Sequence, residues 1–218
     1  KTKLVWLNNP NNPTGLALHP EKVEDFVRCL PEGTWVVLDE AYGEFAAQGS
    51  LPRTKALLEE RRNLVAVRTF SKAWGLAGAR IGYALARPEL VTVIDTVSEP
   101  FNANRTAIAG ASAALREDGE AFRKALDAIV SERERVSRSL GAMGLRVLPS
   151  STNFIFFTLP LDASEVSRML LERGVIVRPC GGWGFPRSIR VTVGTAEDNS
   201  FFLEALGQVL AERKGERE

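Results

Sequence analysis

Residues 69–80, TFSKAWGLAGAR, lie between two apolar runs at residues 64–67 and 81–86. Both runs are predicted to be buried strands, so the residues between them form a loop with glycines, a lysine (Lys72), two hydroxyls and an arginine. Hydroxyls, an arginine and backbone N–H groups can grip a phosphate. A lysine held near that phosphate can stay cationic, or it can lose its proton and attack a carbonyl. A surface loop with a solvated lysine is the plain alternative.

The residues around this loop follow an alternating pattern of strands and helices. Apolar and β-branched runs predict strands, and helical spacing with proline at the first turn predicts helices. The predicted strands are 3–7, 34–38, 64–68 and 81–86, and the predicted helices are 20–30, 51–60, 88–97 and 105–116. Apolar strands with helices between them imply a mostly parallel sheet with helices on both faces. The expected fold class is therefore α/β.

The pattern changes after residue 118. Residues 119–142 predict one long amphipathic helix, able to connect two domains. Beyond it lie predicted strands and helices at 145–147, 153–157, 163–173, 175–177, 189–193 and 196–212. We expect a partial large domain at 1–118, the connecting helix at 119–142, and a small α+β C-terminal domain at 143–218.

Composition excludes several classes of function. The chain has 218 residues, 44% hydrophobic and 25% charged, with a net charge of +1. These values are those of an ordinary globular protein and suggest neither nucleic acid nor a membrane surface as a partner. Two distant cysteines, Cys29 and Cys180, and a single histidine, His19, give no ligand spacing, so no metal site is expected. With no membrane-length apolar run and no signal peptide, we expect a cytoplasmic protein.

Polar side chains follow three of the predicted strands at their carboxyl ends. They are Asn12 after the first strand, Asp39 and Tyr42 after the second, and Thr69, Ser71 and Lys72 after the third. In an open α/β sheet, ligands bind in the crevice beyond the carboxyl ends of the strands. If these strands are parallel, an amide, an acid, a phenol, a lysine and a phosphate grip converge there.

A series of short motifs resembles a known family. The motifs are NNPTG at 11–15, DEAY at 39–42, TFSK at 69–72 with Arg80 eight residues on, NF at 153–154 and SIRVTVGT at 188–195. In order and spacing they resemble the pyridoxal-phosphate-dependent aminotransferases of fold type I, over essentially the whole chain. The resemblance implies pyridoxal 5'-phosphate as the cofactor and transamination as the reaction.

The resemblance also implies roles for residues around the cofactor ring. Lys72 would hold pyridoxal phosphate as the internal aldimine and, once freed, would move a proton. Asp39 would pair with the pyridine nitrogen and keep it protonated. Tyr42 and Asn12 would hydrogen-bond the ring oxygen, and Asn12 is also expected at the substrate.

The resemblance also implies residues that bind the two anionic groups, which are the cofactor phosphate and the anionic group of the substrate. Thr69, Ser71 and Arg80 would bind the cofactor phosphate. Arg190 resembles the family arginine that binds the anionic group of the substrate. Arg178 stands twelve residues earlier at another predicted strand. Two arginines near one pocket suit a dianion such as a phosphate better than a lone carboxylate.

Two segments narrow the resemblance within the family. Residues 100–104 and 182–186 are similar to segments of the histidinol-phosphate aminotransferase subgroup. This implies transamination of histidinol phosphate with 2-oxoglutarate in histidine biosynthesis, by an enzyme that is a homodimer when complete. Aromatic amino-acid aminotransferases and a threonine-phosphate decarboxylase on the same scaffold are the alternatives.

The start of the chain departs from the family pattern. Lys1-Thr2-Lys3 leads straight into an apolar run, with no initiator methionine. We therefore expect the chain to be the later part of a longer protein, without the N-terminal portion of the family. That portion supplies the ring-stacking aromatic residue. A second alternative follows, namely a folded fragment that binds no pyridoxal phosphate by itself.

Overall fold

The computed structural model describes residues 1–117 and 119–215. They divide into two compact units, one made of 1–11 and 17–124 and the other of 12–16 and the described residues from 125 onward. We call them the first and the second unit. The predicted division into 1–118, 119–142 and 143–218 stays a prediction, because its limits at 118 and 218 lie outside the described residues.

The first unit is built on a four-stranded sheet. Its strands, in spatial order, are β1 (Leu4–Asn8), β2 (Trp35–Asp39), β3 (Leu64–Thr69) and β4 (Gly82–Ala86). β1, β2 and β3 are parallel, whereas β4 runs antiparallel to β3. β4 reverses direction because the loop at 70–81 contains no crossover helix, which a parallel connection needs. The prediction of a mostly parallel sheet is confirmed.

Helices connect and follow these strands. They are α1 (Pro20–Cys29), α2 (Thr54–Glu60), α3 (Pro88–Val97), α4 (Arg105–Glu117) and α5 (Gly119–Ala142). The long helix matches its predicted limits, but α2 begins three residues later than the predicted Leu51. Pro52 explains the difference, because the residue before a proline is pushed out of the helical region.

The core of the first unit lies on one face of its sheet. Val23 and Val27 of α1 and Leu57 of α2 pack against alternate residues of β2 and β3, which are Val36, Leu38, Leu64 and Ala66. Successive side chains of a strand point to opposite faces. Asp39 and Thr69 therefore belong to the other face of the sheet, away from α1 and α2.

The second unit has an antiparallel sheet of its own. Its order is β5 (Arg146–Val147), β6 (Phe154–Thr158), β8 (Ser188–Thr192) and β7 (Arg178–Pro179), accompanied by α6 (Ala163–Glu172) and α7 (Ala196–Gly215). The strand predicted at 175–177 is wrong. Val175 instead closes the end of α6, since its N–H donates to Leu170 O and Gly174 adopts a φ of +80°.

Alternation along β6 and β8 gives this sheet an apolar face and a second face of different character. Ile155, Phe157, Ile189 and Val191 join a core completed by side chains of the helices, among them Val136, Leu140, Val166, Leu170, Phe202 and Leu206. Phe154, Phe156 and Arg190 lie on the other face. No helix in the described ranges combines the length and apolar composition needed to cross a bilayer.

Candidate active site

Lys72 lies in the loop that follows β3. Its side chain is exposed, and its Nζ lies 5.5 Å from the ring centroid of Tyr42, which is itself buried. Among the described side chains of the first unit, no carboxylate forms an ion pair with this amine. The lysine is therefore placed as an accessible amine against an aromatic face.

Three predicted phosphate-binding residues lie together beside Lys72. The N–H of Ser71 donates to Thr69 Oγ1 at 3.0 Å, and Arg80 Nη1 donates to Ser71 Oγ at 3.4 Å. Arg80 adopts a left-handed backbone with φ 54°, which is uncommon outside glycine, and its Nη1 also donates to Ala77 O at 2.9 Å. Two hydroxyls and a guanidinium are thus gathered as donors for one anion.

Asp39 stands at the carboxyl end of β2, level with Asn8 of β1. Its Oδ1 accepts from the Ala41 N–H at 3.1 Å, and its Oδ2 accepts from Trp6 Nε1 at 3.3 Å. These contacts fix the carboxylate plane. Trp6 was missed by sequence reasoning. Its one signal is its position two residues before the end of β1, which places it on the same face of the sheet as Asp39.

A second acidic residue lies directly behind this strand end. Glu40 is 1% exposed, and Arg68 donates to its Oε2 from Nε at 2.9 Å and from Nη2 at 2.7 Å. The hydroxyl of Thr54 donates to Oε1. Burial alone would lower the Arg68 pKa, but the hydrogen bonds and charge of Glu40 outweigh burial, so this pKa is raised. Sequence reasoning missed this pair, although it directly flanks Asp39 and Thr69.

Aromatic packing supports the lysine loop. Trp74 stacks on Phe122 with ring centroids 3.9 Å apart, and Phe70 contacts both Trp74 and Tyr83. The loop that carries Lys72 is therefore anchored by packed aromatic rings.

Burial raises the pKa of the nearby Glu44 carboxyl, against the lowering effects of a backbone hydrogen bond and the Arg68 charge.

Arg190 of the second unit is held by three side chains. Its Nη1 donates to Asn12 Oδ1 at 2.6 Å, and its Cζ lies 5.0 Å from the ring centroid of Phe154 and 5.6 Å from that of Trp183. A guanidinium that lies near two aromatic rings and donates to an amide oxygen loses much of its freedom. Sequence reasoning missed Trp183 and Phe154 as partners of this arginine.

Arg178 is the direct cross-strand partner of Arg190 on the same face of the sheet. It is exposed, and no described carboxylate of the second unit forms an ion pair with either arginine. Between them in the chain, Cys180 is buried, and this burial raises the pKa of its thiol. Two like charges side by side leave a position suited to an anion.

The predicted site residues thus fall into two groups. The first unit holds Asp39, Tyr42, Lys72 and the three residues predicted to bind a phosphate, namely Thr69, Ser71 and Arg80. The second unit holds Asn12, Arg178 and Arg190. Asn12 belongs to the second unit together with the rest of residues 12–16. This segment is bonded to the unit through Gly15, whose carbonyl accepts from the Ser151 N–H at 2.8 Å. The predicted contact of Asn12 with the cofactor ring stays a prediction.

The residues of the first unit fit pyridoxal phosphate. An accessible amine suits an aldehyde, a carboxylate that accepts hydrogen bonds at both oxygens suits a protonated ring nitrogen, and the donors around Ser71 suit a phosphate. Tyr42 supplies a phenol close to the amine.

Known proteins resemble the chain in sequence and in structure. A model of the family described as aminotransferase class I and II matches residues 1–206. Histidinol-phosphate aminotransferase 1 of Nitrosococcus oceani is 42% identical over 212 residues, which cover 97% of this chain and 57% of that protein. The chain thus spans little more than half the length of this relative.

Two solved structures are similar along almost the whole chain. Histidinol-phosphate aminotransferase from Sinorhizobium meliloti, in complex with pyridoxal-5'-phosphate, has a TM-score of 0.86 and 36% identity, covering 96% of this chain and 58% of that one. L-threonine-O-3-phosphate decarboxylase from Porphyromonas gingivalis has a TM-score of 0.82 and 27% identity, covering 96% and 65%. Both structures therefore share the fold of this chain.

Proposed function

The chain belongs to the aminotransferase class I and II family, and from this premise we propose that the protein transfers an amino group from histidinol phosphate to 2-oxoglutarate in histidine biosynthesis. The observation that carries the proposal is the placement of Lys72. Its amine lies against the ring of Tyr42, without an ion-pair partner among the described side chains of its unit, and beside the Ser71–Arg80 anion grip. The names of the similar proteins support the substrate.

Lys72 has two tasks in this proposal. Bound pyridoxal phosphate supplies an aldehyde that forms imines with amines and a ring that accepts electrons from the substrate Cα. Lys72 would hold the cofactor through Nζ and, once the substrate amine has taken its place, would move a proton as a base. Both tasks need an amine that the substrate can reach, and the Lys72 side chain is exposed.

Asp39 and Tyr42 tune the cofactor. The Asp39 carboxylate would face the ring nitrogen and keep its proton in place, which strengthens the ring as an electron acceptor. Its contacts with Trp6 and the Ala41 N–H orient it for this task. Tyr42 would hydrogen-bond the ring oxygen, and the same role is proposed for Asn12.

The proposal assigns residues to each anionic group of the cofactor and the substrates. Thr69, Ser71 and Arg80 bind the cofactor phosphate in this proposal. Arg190 binds the phosphate of the amino donor and, in the other half of the reaction, a carboxylate of 2-oxoglutarate. Arg178 adds the second positive charge that a phosphate dianion favours.

Two other activities are kept as alternatives. The similarity to a threonine-phosphate decarboxylase favours, as a second candidate, loss of carbon dioxide from a phosphorylated amino acid, since the two arginines suit either phosphate. Transamination of aromatic amino acids is the other. A third alternative is a chain that neither binds the cofactor nor reacts by itself, since it spans 57% of its Nitrosococcus relative. The proposed homodimer and cytoplasmic location refer to the whole protein.

Product analysis separates these activities. The protein is incubated with pyridoxal phosphate, histidinol phosphate and 2-oxoglutarate, and glutamate is measured. Threonine phosphate and phenylalanine are tested in parallel, with carbon dioxide and keto products measured. Glutamate formed fastest from histidinol phosphate supports the proposal. Carbon dioxide without a keto product supports the decarboxylase, and no turnover with any donor supports the inactive fragment.

A further inference from the structure

The buried pair of Glu40 and Arg68 lies where the two site-bearing segments of the first unit meet. Glu40 directly follows Asp39, and Arg68 directly precedes Thr69. Asp39 and Thr69 face one side of the sheet, whereas Arg68 follows Ala66 on the side of α1 and α2. The pair is therefore immediately behind the residues proposed to bind the cofactor.

The contacts of this pair join three segments of the chain. Glu40 receives two N–H groups of Arg68 and the hydroxyl of Thr54, the first residue of α2. Its own N–H donates to Val67 O at 2.9 Å, which extends the pairing of β2 and β3 past the end of β2. A shift of either strand end would break these bonds together.

Burial makes the pair sensitive to the loss of either partner. Glu40 has a 2% exposed side chain, so water cannot replace a lost partner, and among the described side chains Arg68 is the cation that pairs with it. A buried ion pair is weak evidence for stability, because desolvation offsets much of the attraction. The ion pair nevertheless requires a fixed distance and orientation between its two side chains. This requirement constrains the two segments that carry Asp39 and Lys72.

We propose that the Glu40–Arg68 ion pair is a positioning device that fixes the Asp39 strand end against the Lys72 loop. Neither residue touches the cofactor in this account. They act through Asp39 and Thr69, whose backbones they hold at a set spacing. The effect on the cofactor rests on the proposed function, whereas the effect on the two segments does not.

The same unit offers a matched control. Glu24 is also buried, and its carboxylate accepts hydrogen bonds from Arg53 Nη2 at 2.9 Å and Arg53 N at 2.9 Å. This pair joins α1 to the residue that precedes α2, and the hydrogen bonds of Glu24 with described residues, which include one from Arg28 Nη2 at 3.2 Å, do not involve either strand end. Glu24→Gln and Glu40→Gln therefore make the same chemical change in two places, only one of them behind the site.

Hydrogen exchange of the cofactor-free protein, followed by mass spectrometry, tests the proposal. In Glu40→Gln we expect exchange at least about tenfold faster in peptides covering residues 39–45 and 68–76, which corresponds to a tenfold larger open population. Glu24→Gln should leave these two peptides unchanged. Equal rates in Glu40→Gln and the unaltered protein, or the same change in both variants, would overturn the proposal.

A conservative variant covers the case in which Glu40→Gln unfolds the whole unit. Arg68→Lys keeps the charge but loses one of the two N–H contacts. It should give a smaller increase confined to the same two peptides, and an increase spread over the unit would contradict the proposal. With pyridoxal phosphate added, Glu40→Gln should also release the cofactor about tenfold faster. If the unaltered protein binds none, the proposed function fails while the exchange result still decides this proposal.

Discussion

The loop at 70–81 of the first unit, which carries Lys72, and the sheet face of the second unit, which carries Arg178 and Arg190, hold their cations in different ways. We call them the lysine loop and the arginine face. Lys72 is exposed and touches one aromatic ring, while the rigid contacts lie behind it, in the Glu40–Arg68 pair and the stack of Trp74 on Phe122. Arg190 is itself the fixed group, bonded to Asn12 and lying near two rings.

This difference follows the chemistry each cation would perform. An amine that forms and breaks covalent bonds must change partners, so the structure around it is fixed and the amine itself stays accessible. An arginine that binds an anion in every cycle gains from being held ready, because the cost of ordering it is already met.

Replacing the accessible cation, Lys72, should have the largest effect. Lys72→Ala is expected to lower transamination at least about 10³-fold, since both the covalent attachment and the base are lost. The measurement is glutamate formation under saturating substrate. Lys55→Ala, an exposed lysine of α2, is the matched control and should keep full activity. Substantial activity in Lys72→Ala would remove the distinction between the two cations.

The core beneath the arginine face should come next. Leu206→Ala removes a fully buried side chain and is expected to lower the free energy of unfolding by about 3 kcal/mol. Leu171→Ala, at a leucine that is 58% exposed, should cost less than about 1 kcal/mol. Urea unfolding measures both. Equal losses would contradict the assignment of Leu206 to the core that supports β6 and β8.

The fixed cation itself should show a smaller loss. Arg190→Lys keeps the charge but cannot repeat the planar contacts, so kcat/KM for histidinol phosphate should fall about 30- to 100-fold. Arg187→Lys, at an exposed arginine three residues earlier, serves as the control and should change little. A loss below threefold in Arg190→Lys would mean that preorganisation of this arginine does not matter.

The pH dependence of stability should show the smallest effect. Hydrogen bonds and charge from Arg53 lower the Glu24 pKa from 4.5 to about 2, against a smaller opposing effect of burial. Because the folded-state pKa is depressed, this stabilisation is present above pH 4.5 and is lost as the pH falls toward 2. Arg53 is exposed, so solvent screening limits the contribution to about 1 kcal/mol.

The measurement is the difference in unfolding free energy between the unaltered protein and Glu24→Gln as a function of pH. This difference should shrink between pH 4.5 and 2. A difference that stays constant over that range would show that Glu24 does not titrate as described, and Glu24→Gln would then lose its value as a control for Glu40→Gln.

Sequence reasoning predicted most of the elements that position the site. The strands before Asp39 and before the lysine loop are β-branched or apolar runs, and such runs identify buried strands from local sequence alone. The helix at 119–142 was predicted to its limits for the same kind of reason, since its apolar spacing is regular over many turns. Errors arose where local chemistry competes with the pattern, as at Pro52 and at Val175.

The contacts between distant residues could not be read from local pattern. Asn12 and Arg190 are separated by 178 positions, and nothing near either residue indicates the other. Glu40 stood in the motif at 39–42 without a predicted role and Arg68 only preceded the motif at 69–72, because a charged side chain gives no sign of burial until its partner is known. Motifs identified which residues matter, and tertiary pairing decided how they are held.

Trapping the cofactor on its lysine tests the central claim most directly. The protein is mixed with pyridoxal phosphate, reduced with borohydride and digested, and the labelled peptide is identified by mass spectrometry. We expect one dominant label, on Lys72, which disappears in Lys72→Ala. No label, or a label distributed equally over Lys72 and surface lysines such as Lys55, would contradict it.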